Sequence, residues 1–104
     1  MSMPRQGEVW WAQAEDRRRP VLVVTRTDAV AVLRRVVVAP VTRTVRGIPT
    51  EIQLGPAEGL AVPCAASFDN VQPVSRALLT ERVGALDATR RAELCRALAA
   101  LADC

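Results

Sequence analysis

Val36-Val37-Val38-Ala39-Pro40-Val41 lies near the middle of the chain, and its reading decides the fold. Neighbouring side chains on a strand point to opposite faces. Three branched residues in unbroken succession therefore need apolar surroundings on both faces of a sheet. A strand is expected here over residues 30–41. Towards the N-terminus, Pro20 opens a second run, Val21-Leu22-Val23-Val24-Thr25. Proline is tolerated at the first residue of a strand, and Thr27-Asp28 reads as the turn between the two runs. A first strand is expected over residues 8–14. It carries Trp10 and Trp11 side by side, so one indole belongs to the core and the other to a surface or interface. Glu15-Asp16-Arg17-Arg18-Arg19 is the charged break between the first two strands.

Towards the C-terminus, residues 42–49 are polar and Arg-rich, with Gly47 and Pro49 as breakers, and read as a loop. Thr50-Glu51-Ile52-Gln53-Leu54 alternates strictly, the pattern of a half-buried strand. Gly55-Pro56 and Gly59 bound another connection. A short apolar strand follows over residues 60–66, then a segment holding Asp69-Asn70 and Pro73. Residues 76–83 read as one more strand or a 3₁₀ turn. The last segment is the one clear helix: Asp87 is a good N-cap, and Leu94, Ala97, Leu98 and Leu101 share a stripe that Arg90, Arg91 and Arg96 avoid. Five or six short strands before one amphipathic helix predict a β-barrel or curled sheet closed by a C-terminal helix.

The 104 residues make one domain, 1–104, and half of them are apolar, which excludes a disordered chain. A core this small gains from oligomerisation. Charge is uneven. Residues 1–50 hold nine Arg against four acids and residues 51–104 five Arg against seven, so the halves carry +5 and −2. Every cation is an arginine, whose planar fork suits phosphate, and the basic half fits a polyanion; an ordinary solvated Arg-rich surface fits too. Cys64, Cys95 and Cys104 show no Cys-x-x-Cys spacing and there is no histidine, so neither a metal nor any other cofactor is implied. Without a signal-like run or a stretch of about 20 apolar residues, the chain reads as cytoplasmic, with reduced thiols.

Four stretches resemble, in order, the MazF/PemK family: Gly7-Glu8-Val9-Trp10, Arg19-Pro20-Val21-Leu22-Val23-Val24, Ala39-Pro40-Val41-Thr42-Arg43-Thr44 and Phe68-Asp69-Asn70-Val71. Gly47-Ile48-Pro49-Thr50-Glu51-Ile52 resembles the family's Gly-x-Pro entry to a strand. Each motif is weak alone, but the ordered set covers most of the chain. The resemblance implies an SH3-like barrel of the PemK/CcdB type and a homodimer. It implies an endoribonuclease cutting single-stranded RNA at short sequences, restrained by a cognate MazE-like antitoxin whose acidic tail fills the RNA groove.

RNA cleavage through the 2′-OH needs a proton acceptor, a proton donor and a charge stabiliser, and the absent histidines remove the commonest acid–base pair. The resemblance assigns catalysis to Arg19, Thr42 and Asp69. Arg19 stays protonated and suits a charge clamp better than a base; read from the residues alone it is a solvated hairpin arginine. Thr42 offers a hydroxyl to a phosphate oxygen, with Thr44 two positions on as the alternative. Asp69 is either a proton acceptor or the head of an Asx-turn with Asn70. Asn70 stands where a glutamine is expected, and Ser67 where some relatives carry a catalytic arginine. Arg17, Arg18, Arg43, Thr44, Arg46, Phe68 and Asn70 complete the candidate RNA-binding set, the arginines for phosphates and Phe68, like the tryptophans, for stacking. Two other readings remain: a CcdB-like DNA gyrase-binding toxin without chemistry, and a non-catalytic SH3-like RNA-binding module. The gyrase-binding branch ends in an apolar, Trp-containing segment, whereas this chain ends Ala102-Asp103-Cys104.

Overall fold

The computed structural model describes residues 3–103. Seven strands form antiparallel pairs: β1 (Glu8–Gln13), β2 (Arg18–Val23), β3 (Arg35–Thr42), β4 (Glu51–Leu54), β5 (Cys64–Ser67), β6 (Gln72–Ser75) and β7 (Leu79–Ala85). A helical turn, α1 (Thr27–Val30), precedes β3, and the helix α2 (Arg91–Ala102) closes the chain. The strand order is β4-β5-β3-β2-β1-β7, with β6 also paired to β3. The result is a mainly-β half-barrel with a C-terminal helix, as the expected barrel or curled sheet closed by such a helix requires. Cys104 lies outside the described residues.

Strand β3 is buried on both faces, as its valine run requires. Val36 and Val38 pack with Trp10, Val21, Val23, Val30 and Leu79 on one face. Val37 turns to the other, where Leu22, Ile52, Phe68, Leu86, Leu94 and Ala97 form a second apolar layer. The two tryptophans divide as predicted. Trp10 is buried and its indole N–H donates to Glu8 Oε1 at 3.0 Å, while Trp11 is half-buried under the Arg18 guanidinium, 4.5 Å from the ring centre.

Several boundaries differ from the sequence expectation, each for a local reason. The third strand begins at Arg35, because residues 27–30 coil into a helical turn that drops Val30 into the core. Val32, strand-like by composition, is 79% exposed. Strand β2 starts at Arg18 rather than Pro20. Pairing with β3 begins only at Val21, so Pro20, which has no N–H to give, lies on the stretch paired to β1 alone. The expected 60–66 strand starts at Cys64, after Pro63; Leu60 reaches the core from a loop. Residues 72–75 add a strand that Pro73 obscures, and 76–83 holds both proposed elements, a 3₁₀ turn (Arg76–Leu78) and then β7. Asp87 caps as expected, accepting the N–H groups of Thr89 and Arg90 at 3.0 and 3.1 Å. Helix α2 buries Leu94 and Ala97, half-buries Leu98, and leaves Leu101 exposed. Among the described residues no helix is long and apolar enough to cross a membrane.

Two contacts lock the helix and β7 to the body. Arg90 binds Glu58 at 3.1 Å, Glu93 at 2.7 and 2.9 Å and the Gln53 carbonyl at 2.6 Å, while Glu58 also accepts the Gly55 N–H at 2.7 Å. The turn Pro56–Glu58 presses directly on β7: a Cβ at Gly84 would collide with the Glu58 carbonyl oxygen, and one at Gly59 (φ +88) with that of Val83. Gly84→Ala should therefore cost about 1–3 kcal/mol, as overpacking does, and a urea titration checks it.

The buried Glu8 gives a second prediction. Burial pushes its carboxyl pKa up, but hydrogen bonds from Trp10, Arg82 and the Arg5 N–H outweigh this and hold it below the ordinary 4.5. Glu93 is likewise held low by its hydrogen bond to Arg90. A carboxylate depressed in the folded state stabilises fully above its unfolded pKa, and that contribution fades as pH falls through the folded value. Urea midpoints should be level above about pH 5 and decline below 4.5, less steeply in Glu8→Gln than in the parent.

Candidate active site

The site begins with an interruption of the sheet. Strands β5 and β6 lie along the same edge of β3, pairing Ala66 with Val41 and Gln72 with Val38. Between those registers the five residues Ser67 to Val71 stand opposite only Ala39 and Pro40. A ladder is absent there, and Pro40 has no N–H to offer one. The excess chain folds outward as a 3₁₀ turn, Phe68–Asn70. A groove of about 400 Å³ opens beside it.

Arg19 and Thr42 both line this groove, joined by Ser67, Asn70, Gln72 and Gln13 over an apolar floor that includes Pro40 and Val21. Arg19 is exposed, and among the described residues its side chain has neither a hydrogen-bond nor an ion-pair partner. Thr42 accepts the Thr44 N–H at 3.1 Å, leaving its own hydroxyl proton to donate. Asn70 Nδ2 donates to Ser67 Oγ at 2.9 Å. Among the described residues, Arg19 is the one charged side chain that lines the groove.

The remaining candidates fall elsewhere. Phe68 is fully buried, packed with Leu22 and Ile52, so its ring has no free face for a base; the stacking expectation for Phe68 is corrected. Its place beside Asp69-Asn70 looks loop-like in sequence, but an outward turn must be anchored, and Phe68 is the anchor. Asp69 Oδ2 accepts the Thr50 hydroxyl at 2.6 Å rather than lining the groove, and so ties the 43–50 loop to the turn. Glu51 steadies the same loop, its Oε1 taking the N–H groups of Arg46 and Gly47 at 2.9 and 3.0 Å. Arg46 and Thr44 are exposed on that loop, and Arg17 is exposed at the β1–β2 turn. Arg18 alternates with Arg19 on β2 and faces the other way. It lies over Trp11 and pairs with Glu81 at 3.0 Å.

A second hollow of about 390 Å³, lined by Trp11, Pro20, Leu60, Val62 and Arg43, meets the groove at Thr42. Gln13 and Gln72 escaped sequence reasoning. An isolated glutamine carries no motif, and both become visible only once the folded chain brings them to the lining of one groove.

The sequence and fold match known proteins. Residues 5–102 match the family described as PemK-like, MazF-like toxin of type II toxin–antitoxin system. The chain is 42% identical to the probable endoribonuclease MazF5 of Mycobacterium tuberculosis, over 99% of this chain and 96% of that one. To the probable endoribonuclease MazF2 of the same organism it is 37% identical, over 96% and 99%. The solved structure of M. tuberculosis toxin MazF-mt6 superposes with a TM-score of 0.85 at 36% identity, covering 92% of this chain and 96% of that one. The chain belongs to the MazF/PemK family of toxin endoribonucleases.

These placements predict very different stability effects for two of the candidates. Phe68→Ala should cost about 3–5 kcal/mol, the range for emptying a buried aromatic site. Arg19→Ala, which removes no hydrogen bond or ion pair, should stay within about 0.5 kcal/mol of the parent. Parallel thermal and urea denaturation of the two variants makes the comparison.

Proposed function

We propose that the groove holds a scissile phosphate of single-stranded RNA between Arg19 and Thr42 and promotes attack by the adjacent 2′-hydroxyl, without a metal ion. The observation that carries this reading is Arg19, a charge without a partner among the described residues, in the same groove as the Thr42 hydroxyl. Negative charge grows on the phosphate oxygens as the 2′-oxygen bonds to phosphorus, and a fixed guanidinium with a donating hydroxyl stabilises that growth more than the ground state. The 2′-hydroxyl loses its proton, the bond from phosphorus to the 5′-oxygen breaks, and the departing oxygen takes up a proton. The products are a 2′,3′-cyclic phosphate and a 5′-hydroxyl end. Arg19 serves as the clamp and not as the base, because a guanidinium remains protonated in proteins.

In this scheme Asp69 acts through Thr50, holding the 43–50 loop so that Arg43, Thr44 and Arg46 meet flanking phosphates. Arg17 extends the same basic rim. The toxin works as a homodimer and is neutralised by a cognate antitoxin. Membership of a type II toxin–antitoxin family supports the pairing, and an acidic antitoxin segment suits the free arginines. The gyrase-binding alternative has no observation in its favour.

Purified protein should cut single-stranded RNA in EDTA, leaving the two ends named above. Arg19→Ala should reduce the rate by at least about 100-fold, the scale for losing one transition-state donor, while keeping its fold. Cleavage retained by that variant, or lost on chelation, would place the chemistry elsewhere.

A further inference from the structure

Arg19 and Thr42 account for a phosphate in the groove but leave its other polar side chains without a task. Gln72 opens β6, directly after the outward turn, and its backbone is fixed by the Val38 register. Its side chain is exposed, lines the groove, and has no hydrogen-bond partner among the described residues. Asn70, at the end of the turn, gives Nδ2 to Ser67 and keeps Oδ1 free. Gln13 is more committed, with Nε2 bonded to the Ala14 carbonyl at 2.9 Å. With Arg19 the one charge lining the groove among the described residues, the rest is a neutral amide wall above an apolar floor that includes Val21, Pro40 and Val74. Such a surface suits a flat heterocycle with donors and acceptors along its edge. It does not suit a second phosphate, which would call for another cation.

We propose that Gln72, backed by Asn70, is the residue through which this toxin reads the base beside the scissile phosphate. The inference rests on the RNA-cleaving assignment of the same groove. An amide presents a donor and an acceptor together, so it discriminates bases by the pattern of their edges. Splayed single-stranded RNA exposes those edges. Bases that cannot satisfy both groups leave one buried against the wall unpaired, and the penalty appears as selectivity.

The test compares wild type, Gln72→Ala and Gln72→Glu on one pool of randomised single-stranded RNA, with the 5′ ends of the products sequenced. Gln72→Ala should flatten the preference at a single position next to the cut, lowering discrimination there about 10-fold, within the range for one bidentate base contact. Gln72→Glu keeps the shape but replaces the donor with an acceptor. It should move the preference at that position towards bases that donate, such as cytosine through its amino group. A cleavage motif identical in all three proteins would overturn the proposal, as would a uniform loss on every sequence. Wild-type protein that cuts no RNA would overturn the parent reading and this one together. Cleavage that depends on Arg19 with a motif indifferent to Gln72 would overturn this inference alone.

Discussion

Strand β3 is the constraint on which the rest depends. It has neighbours on both edges, β2 on one and β5 and β6 on the other, and an apolar layer on each face. Burying Val36 and Val38 beneath Trp10 and Val23, and Val37 beneath the second layer, removes apolar surface from water on both sides at once. Elements that cannot pair with β3 are arranged to cover it: α1 contributes Val30 to one layer, and α2 contributes Leu94 and Ala97 to the other. The gap in the ladder on the β5 and β6 edge, across Ala39 and Pro40, is where the groove lies.

The arginines show how a single residue type is divided between structure and chemistry. Arg90 and Arg82 are held by carboxylates that are themselves largely buried, Glu58 and Glu8, and removing either cation would leave a charge stranded. Arg18 spends its charge on Glu81 and its flat face on Trp11. Arg19, one residue later and on the opposite face of β2, meets none of these partners. An exposed guanidinium is well solvated and costs little to hold ready, and it gains most when a phosphate displaces that water in a concave site. Strand alternation alone separates the structural arginine from the free one.

The proline-marked edges carry a related lesson. Pro20 and Pro40 are Cα partners of residues on neighbouring strands, Trp11 and Val21, yet each lies where one side of its strand lacks a ladder. Both positions border hollows, Pro40 the groove and Pro20 the second hollow that meets it at Thr42. Missing hydrogen-bond donors and open surface coincide because a closed ladder leaves no room for a ligand.

The sequence by itself determined the β2 and β3 cores, the division of the two tryptophans, the Asp87 cap, the helix after it and the family of the chain. These depend on local patterns: valine succession, strand alternation, cap chemistry and ordered motifs. It named Arg19 and Thr42 as partners, though only through the resemblance. Tertiary structure decided the rest. Residues 27–30 have strand-like neighbours but coil, because Val30 is needed as a core plug rather than a ladder member. Phe68 left its expected stacking role because a turn opposite Pro40 must be anchored in the core. Asp69 met Thr50, and Gln72 met the groove, through pairings between segments far apart in the chain. Registers of that kind depend on long-range packing that no local pattern encodes.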